Sequence, residues 1–317
     1  MFRRSLHNLG CVVVVYPSWR SHLVRDYTGT EIIMLKKILK FIAIEFLYNG
    51  HLQTWGVLAI TIFTSLVFAL PITWPSLAIL YASFYIIYLY NRWGEREIDA
   101  LTNPTRTEHV QGLSKQIYFI FAVVFIFMSG LLYFYANAQT IIFVLLITIF
   151  GLLYTTHCKK FTRYIPMFKN LYVSGVFALV IFYPFIYDAV PIKDHLVEVL
   201  FIAFFIFAEG VIMQILLDVK DIAGDGQIGL KTLGVMIGKE KTLTVLHVLN
   251  IVVGVILPLI FIFLGYFPME FTSIVLLTLI NIISFRLAYK GLVAGYLLSG
   301  GKFVILPVLY YCAQLLK

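Results

Sequence analysis

The chain has 317 residues, of which 61% are hydrophobic, 16% aromatic and only 13% charged. Its mean hydropathy of +0.93 excludes an ordinary soluble domain, whose apolar fraction is roughly 45–50%. The net charge of +8 follows a membrane pattern set out below rather than forming a basic patch, so nucleic acid is not an expected partner.

In chain order, residues 1–33 fit poorly with the rest. The apolar stretch from Leu9 to Tyr16 is too short to span, and no small-residue cleavage site follows it. Met34-Leu-Lys-Lys-Ile-Leu-Lys reads like an ordinary start before a first helix. Residues 1–40 are therefore expected to be an N-terminal arm, mis-started or weakly ordered, ahead of one domain over 41–317. Nine apolar runs follow, roughly 41–70, 72–90, 116–136, 139–156, 171–187, 195–217, 241–265, 269–288 and 299–316. A crossing needs about 20 apolar residues. Only helices or closed barrels satisfy their backbone in lipid, and the alternating segments of about ten residues that a barrel shows are absent. The expected fold is all-α: a polytopic membrane protein, a bundle of about nine helices around a central cavity. Of the 24 Lys and Arg, all but Lys193 and Lys317 fall before the first run or in alternate connections and their helix ends. The positive-inside rule then puts the N-terminus and the long polar connections in the cytoplasm; in a prokaryote the membrane would be the plasma membrane. Cys11, Cys158 and Cys312 have no spacing of a zinc site or disulfide framework.

Carboxylates are costly in such a chain, at about 2.5–3.5 kcal/mol each near the bilayer core, yet two acidic rows adjoin apolar runs. After the second run, Asn91, Glu95 and Asp99 lie at i, i+4, i+8, one helical face about 12 Å long. After the sixth, Asp218, Asp221 and Asp225 lie at i, i+3, i+7, with Gln214 one turn earlier. Oxygen ligands of this kind suit Mg²⁺, which takes its remaining ligands from substrate phosphates. Two facing rows would hold a diphosphate through bridging metals. Between them, Lys159 and Lys160 with Arg163, then Lys169 at a helix start, supply counter-charge; Arg106 and Lys231 follow each row. Lys and Arg are the usual phosphate partners. Glu209 is expected on the opposite face from Asp218 and one to two turns deeper, where a polar contact between helices is the plainer reading. Asn49 and His51 either reach the same cavity or mark the interface.

On these motifs the chain resembles the UbiA superfamily of intramembrane prenyltransferases. The family pattern Asn-x-x-x-Asp-x-x-x-Asp stands here as Asn91, Glu95 and Asp99. The second, Asp-x-x-Asp-x-x-x-Asp, stands as Asp218, Asp221 and Asp225, followed by Gly229 and Thr232-Leu233. Asn103 and Arg106 match a further Asn-Arg-Pro-x-Arg stretch, and the likeness covers roughly residues 41–316. Three departures stand out: Glu95 replaces the middle Asp, Arg92 stands where many members carry Asp, and the Tyr-x-x-x-Lys motif is out of step. Tyr154 puts Cys158 at the Lys position, whereas Lys159 puts Thr155 at the Tyr position.

The resemblance implies Mg²⁺ held by Asn91, Glu95, Asp99, Asp218, Asp221 and Asp225, with turnover depending most on Asp99, Asp221 and Asp225. It implies a prenyl diphosphate contacted by Arg106, Tyr154, Lys159, Arg163 and Lys169, and a lipophilic acceptor, often aromatic, met in the membrane lipid. A cyclising member of the family and a transporter of ions or anionic lipids are the alternatives. A transporter would place its charges near the midplane on broken helices, whereas these lie at helix ends on one side.

Overall fold

The computed structural model describes residues 29–96, 100, 104–112 and 115–316. Of the arm expected over residues 1–40, residues 1–28 lie outside the described residues, as do Asp99 and Asn103. The chain divides into two compact units, Met1–Ile44 and Glu45–Lys317; helix α1 (Gly29–Tyr48) begins in the first and ends in the second.

Gly50 ends α1. Its φ is +87°, and a Cβ there would lie 2.5 Å from the Cβ of Tyr88. Only glycine meets both conditions. There follow α2 (His51–Val67), α3 (Trp74–Gly94), the short α4 (Pro104–Gly112), α5 (Ile117–Tyr135) and α6 (Ala138–Thr156). A 3₁₀ segment (Cys158–Arg163) leads to α7 (Phe168–Leu179), then α8 (Leu196–Val219), α9 (Ile222–Gln227), α10 (Leu233–Ile237) and α11 (Lys239–Ile251). The last three are α12 (Leu276–Tyr289), α13 (Val293–Gly300) and α14 (Lys302–Leu315). Local chemistry marks the boundaries. Pro75 opens α3, and Asn137 caps α6 by accepting from the Thr140 amide at 2.8 Å.

No strand occurs among the described residues. Six of their helices are long and apolar enough to cross a membrane, or eight if each of two bent pairs is one span. The expected nine would also need α3. It has the length, at 21 residues, but its sequence WPSLAILYASFYIIYLYNRWG carries four tyrosines.

The helices of the second unit form a ring: α2 packs on α3, α3 on α6, α6 on α7, α7 on α8, α8 on α11 and α13, and α14 returns to α2. The most buried span ends in α8. Away from the acidic motifs the ring is filled, with Ile60, Phe63, Ile79, Leu80 and Phe205 all fully buried. At the other end it is hollow.

A buried polar cluster ties four of these helices. Lys302 (α14) pairs with Glu209 (α8), both fully buried. Asn281 (α12) donates to Glu209 at 2.9 Å and to Asn250 (α11) at 2.7 Å, and Lys302 donates to the Asn281 carbonyl at 3.1 Å. Glu209 is thus an interhelical contact. Lys302, which the charge pattern assigns to a helix end facing water, is instead inside the bundle. Nothing in its local sequence distinguishes it from a topology charge; only the partner on α8 does.

Removing one member of a buried pair leaves the other uncompensated, at a cost of about 3–5 kcal/mol. Lys302→Met should therefore lower the melting temperature in detergent sharply. Adding Glu209→Gln should recover most of the loss, because the amide still accepts from Asn281. Wild-type melting of Lys302→Met alone would show that the pair holds nothing together.

Candidate active site

The hollow end is a cavity of about 840 Å³, within the range of about 300–1,000 Å³ usual for ligand sites. Asn91 and Glu95 reach it from one wall, and Asp218, Asp221 and Asp225 from another. The structure thus brings the described members of both acidic rows to one chamber.

Neither row lies on one unbroken helix. Helix α3 stops at Gly94, and Glu95 follows in the C-cap with its amide on the Asn91 carbonyl at 3.0 Å. Asp218 sits in the last turn of α8, Asp221 at the break, and Asp225 inside α9. The Asp225 amide donates to the Asp221 carbonyl at 2.8 Å. The expected single faces are replaced by helix ends, where the chain turns so that the described carboxylates of both rows face the cavity.

Each row is met by an ammonium. Lys159 lies 2.8 Å from Glu95. Lys169 lies 2.9 Å from Asp218 and 2.8 Å from Asp225. Asn170 donates to Asp218 at 2.7 Å, and Thr155 donates to the Asn91 side chain at 2.9 Å. Lys220 pairs with Asp221 at 3.2 Å. Burial holds the Lys220 ammonium below its ordinary range; Asp221 opposes this, while the charges of Arg106 and Arg92 push the same way as burial.

The out-of-step motif is absorbed by a change of helix type. Helix α6 ends at Thr156, and the 3₁₀ segment begins at Cys158. Tyr154 and Lys159, five residues apart, therefore both line the cavity, and Cys158 does not. On a 3₁₀ turn the residue three on shares a face and the residue four on does not. Accordingly Thr162 is buried while Lys160 and Arg163 are exposed. Arg163, expected at a diphosphate, is exposed and is not among the residues lining the cavity. Thr162 also fixes this loop in place. Its carbonyl accepts from the Lys231 amide and its hydroxyl from the Lys169 amide, both at 3.0 Å, while the Met167 amide donates to the Lys231 carbonyl at 2.9 Å. Lys231 contributes this backbone tie, with its side chain exposed.

Among the described lining residues there are six cations (Arg92, Arg106, Lys159, Lys169, Lys220, Lys239) and four carboxylates (Glu95, Asp218, Asp221, Asp225). The charged end is suited to an anion. Deeper in, the walls are Phe84, Ile87, Val176, Phe177, Met213 and Leu217. Thr155, Asn170 and Lys239 are site residues that spacing alone does not single out. Asn170 is the most legible of the three, as the polar residue next to Lys169 at a helix start.

Among the described residues no three His, Cys, Asp or Glu converge closely enough to hold a metal ion; the lysines stand between the carboxylates instead. The donor set nonetheless fits Mg²⁺. It is all oxygen, and Glu95 Oε1 is buried with no hydrogen-bond partner among the described residues.

The family model described as the UbiA prenyltransferase family matches residues 48–296. Three solved structures resemble the fold. An apo UbiA homologue from Aeropyrum pernix K1 is 17% identical with a TM-score of 0.64, covering 83% of this chain and 97% of that one. A UbiA homologue from Archaeoglobus fulgidus bound to DMAPP and Mg²⁺ is 14% identical with a TM-score of 0.59, covering 86% and 100%. A digeranylgeranylglyceryl phosphate synthase is 16% identical with a TM-score of 0.51, covering 89% and 97%. No curated protein sequence matches.

The geometry separates neighbouring basic residues. Lys159→Gln should weaken binding of inorganic diphosphate about ten- to a hundredfold, the loss of one charge-assisted contact of about 1.5–3 kcal/mol. Lys160→Gln and Arg163→Gln should bind as wild type does. Equal losses at Lys159 and Arg163 in a calorimetric titration would place the anion outside the cavity.

Proposed function

Since the chain belongs to the UbiA prenyltransferase family, we propose that it is a Mg²⁺-dependent intramembrane enzyme. It would move a prenyl group from an isoprenoid diphosphate to a lipophilic acceptor. The observation that carries this is one chamber with carboxylates and an excess of cations at its mouth and apolar walls beneath. That a relative of the same fold is bound to DMAPP and Mg²⁺ supports an isoprenoid diphosphate and Mg²⁺ as the ligands.

Asn91, Glu95, Asp99, Asp218, Asp221 and Asp225 would hold the metal. Bound Mg²⁺ would supply Lewis-acid neutralisation of the leaving diphosphate. The chain's own cations do the rest. Lys159 and Lys169 stand at the two rows and Arg106 lines the same end, which supports reading their N–H groups as donors to diphosphate oxygens. Tyr154 presents its ring from the same wall, stacked on Tyr172 at 5.8 Å. Charge that develops on the leaving oxygens then meets fixed donors in a low-dielectric site, usually the largest catalytic effect.

The reaction breaks the bond from the allylic carbon to oxygen, and the electron pair leaves with the diphosphate. A nucleophilic carbon or oxygen of the acceptor supplies the pair for the new bond and loses a proton. The apolar walls keep water from capturing the allylic cation first, and aromatic faces stabilise it by about 0.5–2 kcal/mol each. The enzyme would be a multi-pass membrane protein with its motif side in the cytoplasm.

Asp99→Asn and Asp225→Asn should each cut Mg²⁺-dependent diphosphate release at least about a hundredfold, with helix content unchanged. Glu95→Asp keeps the charge and loses one methylene of reach, so it should retain most activity. Normal turnover in either Asn variant, measured on purified protein with allylic diphosphates and candidate acceptors, would sink the two-row site.

A further inference from the structure

In the 3₁₀ segment Cys158–Arg163, residues three apart share a face. One face turns inward: Lys159 pairs with Glu95, and Thr162 is fully buried. The second, Lys160 and Arg163, is exposed. The third, Phe161 with Tyr164 at the C-cap, is exposed as well, at 50% and 75%. The chamber accounts for the first face only.

The basic face is extended by Lys231, whose amide donates to the Thr162 carbonyl at 3.0 Å and whose side chain is exposed. Lys159, Lys169 and Lys220 are each ion-paired. Among the described residues no carboxylate pairs with Lys160, Arg163 or Lys231. The aromatic face is seated, with the Phe161 ring edge-on to Phe168 at 5.7 Å, and exposed Ile165 continues it.

The turn follows directly on α6, a helix apolar enough to cross a membrane. That helix exposes Leu146, Ile149, Phe150 and Leu153. The turn therefore begins where a lipid-facing surface ends, at the level of the headgroups. Side chains with an apolar body and a polar tip are favoured there, and cations gain from the negative surface potential of an anionic leaflet.

A free phosphate would match the three cations but leave Phe161, Tyr164 and Ile165 unexplained. An anionic phospholipid matches both faces. We propose that the outer faces of this turn, with Lys231, bind an anionic phospholipid. Its phosphate would accept from Lys160, Arg163 and Lys231, and the start of its acyl chains would lie against Phe161, Tyr164 and Ile165. The site is outside the chamber and does not depend on the prenyl-transfer reading.

The test is native mass spectrometry of the full chain, titrated separately with phosphatidylglycerol, phosphatidylcholine and inorganic phosphate. Phosphatidylglycerol should bind at least about tenfold more tightly than phosphatidylcholine, and inorganic phosphate should give no adduct over the same concentrations. Combining Lys160→Gln, Arg163→Gln and Lys231→Gln should abolish the preference. Combining Phe161→Ser with Tyr164→Ser should weaken both lipids and leave the preference in place. Lys115, Lys241 and Lys290 are also exposed, and their replacement by Gln should change little. An equal loss from that second triple variant would reveal diffuse attraction to a basic surface and overturn the site. So would an unchanged preference in the first triple variant, or inorganic phosphate binding as tightly as the lipid.

Discussion

Lys169 stands 2.9 Å from Asp218 and 2.8 Å from Asp225, and all three side chains are nearly buried. Each such charge, taken from water alone, is penalised by several kcal/mol. The ammonium shared between two carboxylates removes most of that penalty, and its position constrains much else. Lys169 must open α7, so the chain before it turns through Met167 with φ of +58°. It is held there by Thr162 and Lys231. Through those hydrogen bonds the segment after the second acidic row is fastened to the loop that carries Lys159. One electrostatic requirement thus fixes the distance between the walls of the chamber.

The same kind of pair recurs with the opposite consequence. Glu209 and Lys302 are fully buried and share Asn281. No cavity reaches them: neither lines the chamber. A paired charge that solvent and ligand cannot approach works as a fastener. The pairs at the rows line the chamber, so a ligand can exchange for either partner. Access separates a structural ion pair from one that can bind substrate, and access is a property of the packing around it.

That distinction explains what was legible in the sequence. The helical membrane class follows from composition, and the two rows follow from carboxylates at helical spacing where lipid disfavours them. Tyr154 and Lys159 were visible as residues but not in register, because the switch from α-helix to 3₁₀ after Thr156 carries no strong local signal. Arg163 reads as a phosphate contact from its charge, whereas the turn leaves it exposed and outside the cavity lining. Lys302 matched the pattern of topology charges and is fully buried, since its partner lies 93 residues away on another helix. Residue type and spacing along one element can be read from a sequence. Pairing between distant elements, which sets the role of a charge here, cannot.

The charge balance of the chamber follows from the same physics. Six cations face four carboxylates among the described lining residues. A low-dielectric cavity with such a surplus favours an anion. On the proposed reading, lysines already neutralise the rows before any ligand arrives, so a metal ion alone must displace an ammonium to bind. A diphosphate would remove that conflict, because Lys159 and Lys169 would gain new partners and leave the carboxylates to the metal. Metal and diphosphate would then each strengthen the other's binding, a reciprocal coupling that linkage requires. On this account Lys159 and Lys169 would serve in turn as partners of the carboxylates and as donors to phosphate. Arginine, with its rigid fork, suits that exchange less well than the flexible ammonium of lysine, in keeping with the lysines that stand at both rows.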